Sequence, residues 1–113
     1  MFGGSGFKIE PVEFTDCGVE MNGMRMEYHV DEKNGMSRIQ FHIWPEPAFP
    51  ENTQDLLEKA LLNGSYNKES VVIDYVPEVE SWYVELNSLA VKPTAGIVKT
   101  VARKIARVVN SDG

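Results

Sequence analysis

The sequence predicts an α+β fold: an antiparallel β-sheet in the order β-βββ-α-ββ-α, with two helices packed on one face. Three observations predict it. Two Asn-Gly pairs are each flanked by segments that alternate apolar and polar residues. A third alternating pair surrounds the short stretch PEVE, and two further segments repeat their apolar residues at helical spacing. Hairpins grouped together, with no strict strand-helix alternation, favour helices segregated to one side of an antiparallel sheet.

Residues 1–6, with GGSG at 3–6, read as a flexible lead-in to a single α+β domain over 7–110, and 111–113 as a short tail. FKIEPVEF (7–14) alternates but slips phase at Pro11, so it reads as an edge or bulged strand. Asn22-Gly23 then suits a type I′ turn, which needs positive φ at both positions. Closing it there pairs Met21 with Met24, Glu20 with Arg25 and Val19 with Met26, sets Cys17 opposite Tyr28 and places Asp16 across from His29.

Asn34-Gly35 repeats the signal. It pairs Val30 with Ile39, Tyr28 with Phe41 and Met26 with Ile43 on one face, and Asp31 with Arg38, His29 with Gln40 and Glu27 with His42 on the other. Both turns assign the middle strand the same buried face, and a one-residue slip would reverse every side chain.

PEPAFP (45–50) is a stiff connector. ENTQDLLEKALLNG (51–64) is a helix with Asn52 or Thr53 as cap, a stripe of Leu56, Leu57, Ala60 and Leu61, and Asn63-Gly64 as its stop. SVVIDYV (70–76) and SWYVELNSL (81–89) form a hairpin in which Tyr75 meets Trp82, Ile73 meets Val84 and Val71 meets Leu86. From Thr94 to Val109 a second helix places Ile97, Val98, Val101, Ile105, Val108 and Val109 on one side. Its β-branched residues lower helix propensity, so packing must hold it.

Composition narrows the function classes. The chain has 113 residues, a net charge of −6 and one cysteine, which excludes an intrachain disulfide and suits a reducing compartment. No signal-peptide pattern and no long apolar run is present, so the expectation is a cytoplasmic protein without a transmembrane segment. Residues 1–91 carry 16 acidic and 6 basic side chains, and residues 92–113 carry 5 basic and 1 acidic. An acidic body argues against nucleic-acid binding, which needs clustered Lys and Arg. No phosphate-binding loop, nucleophile elbow or zinc-protease motif occurs.

Two groups of residues stand out. The predicted register gathers Asp16, Glu27, His29 and His42 on one sheet face. Two imidazoles and two carboxylates suit zinc or another divalent metal, and a His-carboxylate pair suits general-base chemistry. A wet polar face accommodates the same residues with no function attached. The second group is Asp74, Glu78, Glu80, Tyr83 and Glu85, where an exposed tyrosine among carboxylates suits a partner interface. Cys17 falls on the core face, away from both histidines, as a buried structural thiol.

A basic stripe of Lys99, Arg103 and Arg107, with Lys104 beside it, marks the outer side of the last helix. The leading expectation is a non-enzymatic binding domain that acts through its acidic sheet face or a strand edge, with a protein partner or a second copy and no cofactor. The alternative is a small metal-binding protein or metal-dependent enzyme using the histidine cluster. A small-ligand pocket between sheet and helices also fits the pattern.

Overall fold

The computed structural model describes residues 13–19, 24–44, 53–62 and 66–111, with side chains to residue 108. Five strands and two helices follow one another: β1 (Thr15–Asp16), β2 (Arg25–Lys33), β3 (Met36–Trp44), α1 (Thr53–Leu62), β4 (Val71–Val76), β5 (Ser81–Leu89) and α2 (Ala95–Ser111). Short 3₁₀ turns at Lys68–Ser70 and Pro77–Val79 flank β4. The sheet is antiparallel in the order β1-β2-β3-β5-β4, so the last hairpin joins by its second strand and leaves β4 on the rim. This is the α+β class and element order that the sequence predicts.

Turn chemistry sets the register. Asn34 and Gly35 both take positive φ (56° and 79°), as a type I′ turn requires. All six cross-strand pairs expected from that turn are present, from Glu27 opposite His42 to Asp31 opposite Arg38. The three expected pairs of the β4–β5 hairpin are present too, and Glu80 (φ 51°) completes its connection. Near the far end of β5 the pairing with β3 shifts between Ser37 and Ile39. β5 carries one extra residue there, and Ser88 takes φ 61°, the geometry of a β-bulge.

The N-terminal register differs from expectation. Thr15 pairs with Tyr28 and Asp16 with Glu27, two residues away from the predicted alignment. Asp16 Oδ1 accepts the Gly18 N–H at 3.0 Å, and Gly18 takes φ 72°, so the backbone turns sharply just beyond Cys17. A slip of two keeps every side chain on its face. Cys17 therefore still enters the core, with its N–H donating to the Met26 carbonyl. Most of the predicted first strand, the Asn22-Gly23 turn and the 45–50 connector lie outside the described residues.

Both helices contribute to the core on one face of the sheet. Leu57, Ala60 and Leu61 of α1 and Val98, Val101, Ala102, Ile105 and Ala106 of α2 share a cluster with Met26, Ile39, Phe41, Ile43, Val84 and Leu86. Each fully buried aliphatic side chain contributes on the order of 1.5–3 kcal/mol. The α2 stripe centres on Val98, Ala102 and Ile105. Ile97 lies about 100° around the helix from Val98 and is exposed, contrary to expectation. Thr94 caps α2, its Oγ1 accepting the Ile97 N–H at 3.3 Å.

Candidate functional site

The face of the sheet turned away from the helices carries the predicted polar residues. Its centre is a connected network on β2, β3 and β5. Arg38 donates through Nε and Nη2 to the two Asp31 carboxylate oxygens at 2.8 and 2.6 Å, a bidentate pair. Arg38 Nη1 also lies 3.7 Å from Glu85. Tyr83 donates its hydroxyl proton to Glu85 Oε1 at 2.6 Å and accepts from Gln40 Nε2 at 2.7 Å. Asn87 donates to the other Glu85 oxygen at 2.8 Å.

The ionisable groups respond accordingly. Hydrogen bonding from Arg38 holds the Asp31 carboxyl below its ordinary range, and the same bond raises Arg38. Burial, followed by the bond to Glu85, pushes the Tyr83 phenol up. Among the described residues Gln40 Oε1 is the buried side-chain acceptor left without a partner.

A second group is aromatic. His42 shares a 3.0 Å hydrogen bond between its Nδ1 and Ser81 Oγ, stacks on Trp44 and meets the edge of Phe14 at a centroid distance of 4.8 Å. Arg25 lies over the Trp44 ring, 4.6 Å from its centroid. Burial lowers the His42 pKa, opposed by the negative charge of Glu27, so the imidazole is held neutral. His29 donates from Nδ1 to the Glu13 carbonyl at 3.1 Å, and Phe14 packs on it as well. Ser81 is fully buried, so its hydroxyl is no accessible nucleophile despite the neighbouring imidazole.

These contacts locate the sequence-predicted residues. Glu27, His29 and His42 do share one face, but Glu27 pairs with Arg25, His42 with Ser81 and His29 with a backbone carbonyl. Asp16 stands opposite Glu27 and not across from His29 as expected, and its carboxylate is engaged by Gly18. Among the described residues no three of His, Cys, Asp and Glu are gathered as a metal would need. Tyr83 lies on the expected face beside Asp74 and Glu85, but it is only 2% exposed. The expected exposed tyrosine is therefore corrected to a buried one, enclosed by Gln40, Glu85 and the His42 ring.

Besides Met36, Val91 and Ile97, which are exposed elsewhere, exposed apolar residues gather at the rim strand, which the sequence pattern does not single out. Val72 and Tyr75 of β4 are 36% and 42% exposed, and Val79 beyond it is 46% exposed. Tyr75 forms a tilted aromatic pair with Trp82, ring centroids 5.4 Å apart. Glu78 and Glu80 are exposed in the adjoining connection. Backbone groups alternate sides along a strand. With the Val76–Ser81 pair closing the hairpin, the Val71, Ile73 and Tyr75 peptide groups face outward. The Val71 N–H donates to the Lys68 carbonyl and the Tyr75 N–H to Asp74 Oδ1 at 2.9 Å, and among the described residues no strand pairs with that side.

Elsewhere, an open cleft of about 940 Å³ runs between the helices, lined by Asp55, Leu56, Glu58, Lys59, Lys104 and Val108. A smaller hollow of about 220 Å³ lies by the β2–β3 turn beside Arg38 and Asn87. Lys99, Arg103 and Arg107 are exposed on α2. No helix among the described residues is long and apolar enough to cross a membrane. Comparison of the chain with protein-family models, with curated proteins and with solved structures gives no match.

Proposed function

We propose that this protein is a non-enzymatic binding domain that docks a protein partner along the β4 rim of its sheet. One observation carries the reading: a six-residue rim strand exposes Val72, Tyr75 and nearby Val79 with no lysine on its outer edge. Proteins usually blunt such edges with charge, proline or bulges. An open edge of this kind accepts an extended segment by strand addition, with backbone bonds for affinity and neighbouring side chains for selectivity. Exposed tyrosine beside tryptophan supplies the residue types that dominate interface energetics. The polar face supports this role indirectly, because Arg25 is already paired with Glu27, and Arg38 with Asp31 and Glu85.

The experiment is affinity isolation from source cells with a tagged chain, beside a Val72→Lys/Tyr75→Lys variant and a His29→Ala/His42→Ala variant. The expected complex is retained by the wild type and the histidine variant and lost by the β4 variant. A complex that survives the β4 substitutions but disappears with the histidines would sink the proposal.

A further inference from the structure

We infer that the occupant of the β4 edge is an extended segment bearing lysine or arginine, seated along β4 with the Tyr75–Trp82 pair on one face of the strand, Asp74 on the other, and Glu78 and Glu80 in the connection that follows. This rests on the edge-docking reading and adds the chemistry of the partner. The argument is charge complementarity at a partly apolar rim. β4 and the connection that follows it, residues 71–80, carry three carboxylates and no basic residue. A second copy of the same edge would bring like charges together, which is unfavourable. An anionic segment would meet the same repulsion. A cationic segment has two kinds of partner along this edge: the carboxylates, and on the other face of β4 the Tyr75 and Trp82 rings.

Asp74 gives this preference a structural consequence. Its carboxylate accepts the outward Tyr75 N–H, so it occupies a position that an incoming strand would use. A neutral strand must displace that carboxylate with nothing to receive it. A strand that places an ammonium or guanidinium beside Asp74 gives the displaced carboxylate a new partner. The edge thus disfavours neutral segments relative to cationic ones, a bias that also restrains aggregation.

The test titrates isotope-labelled protein with three synthetic eight-residue peptides that alternate valine with lysine, glutamate or threonine, and follows backbone amide signals. The lysine peptide is expected to shift Ile73, Tyr75 and Val79 and to bind about ten-fold more tightly than the threonine peptide, with the advantage lost near 0.5 M salt. Glu78→Gln/Glu80→Gln should remove most of that advantage and leave the threonine peptide unaffected. Equal binding of the lysine and threonine peptides at β4 overturns the charge preference while leaving edge docking intact. Tighter binding of the glutamate peptide, or a concentration-dependent dimer that protects Ile73, overturns the assignment of the occupant. So does a lysine peptide that shifts no β4 amide, in which case the affinity isolation above judges the edge reading separately.

Discussion

β3 is buried on both sides, by two different kinds of chemistry. On the helix side Ile39, Phe41 and Ile43 are wholly inaccessible, and on the other Arg38, Gln40 and His42 are nearly so. The apolar side is held by area removed from water and by close packing, which is non-directional. The polar side is held by matched donors and acceptors, whose net contribution is small while all are paired and large when one is deleted. The comparison teaches that equal burial does not mean equal stabilisation: one side tolerates a change of partner, the other a change of shape.

The two sides should break differently. The largest effect is expected for Phe41→Ala, which leaves a cavity among the strands and helices and should cost about 3–5 kcal/mol, read from the midpoint of urea denaturation. Arg38→Ala comes next, at about 1–3 kcal/mol, because it removes the cation that Asp31 and Glu85 share. The lower end applies to the extent that solvent reaches Asp31. The comparison sharpens with Arg38→Met combined with Asp31→Leu, which should recover much of the loss. If the double variant were no more stable than Arg38→Ala, pairing would not be what holds that side.

Tyr83→Phe should cost about 1–2 kcal/mol by leaving Gln40 and Glu85 unmatched, measured the same way. His42 adds a pH signature. Its folded pKa lies below the ordinary imidazole value of about 6.5, so the unfolded chain binds the proton more readily. Stability is fully present above that value and declines as pH falls below it, towards the depressed folded pKa. His42→Gln should flatten that part of the stability-pH curve. Smallest of all, Val72→Lys on the rim should change stability by less than about 0.5 kcal/mol while removing partner binding.

Much of this architecture was legible from short-range rules. Asn34-Gly35 admits one favourable turn, and that turn aligned nine residue pairs without further information. The β4–β5 pairs followed from alternation. The N-terminal ladder differs by two residues from the alignment that Asn22-Gly23 suggests, and the Asp16–Gly18 contact turns the chain just beyond it. That contact is a side chain accepting a backbone proton two residues on, and Asp-Cys-Gly could have suggested it.

The candidate site was less legible. Parity placed Tyr83 on the correct face but carries no measure of coverage. Its burial depends on β5 lying between β3 and β4, on neighbouring long polar side chains and on the rings around His42. For the same reason Tyr75 and Val72 looked like ordinary sheet residues. A strand becomes a rim only when the order of strands is known, and hairpin patterns do not give the order in which hairpins join.

Cys17 carries a last consequence. Its thiol is almost wholly enclosed, and burial followed by the charges of Asp16 and Glu27 pushes its pKa up to about 12. The nucleophilic thiolate is therefore scarce at neutral pH in the folded state. A colourless disulfide reagent that releases a coloured product on reaction would consume this thiol only during excursions that peel the short first strand from its neighbour. The chain thus contains its own single-site stopwatch, and the rate of colour development would time how often that margin of the sheet comes loose.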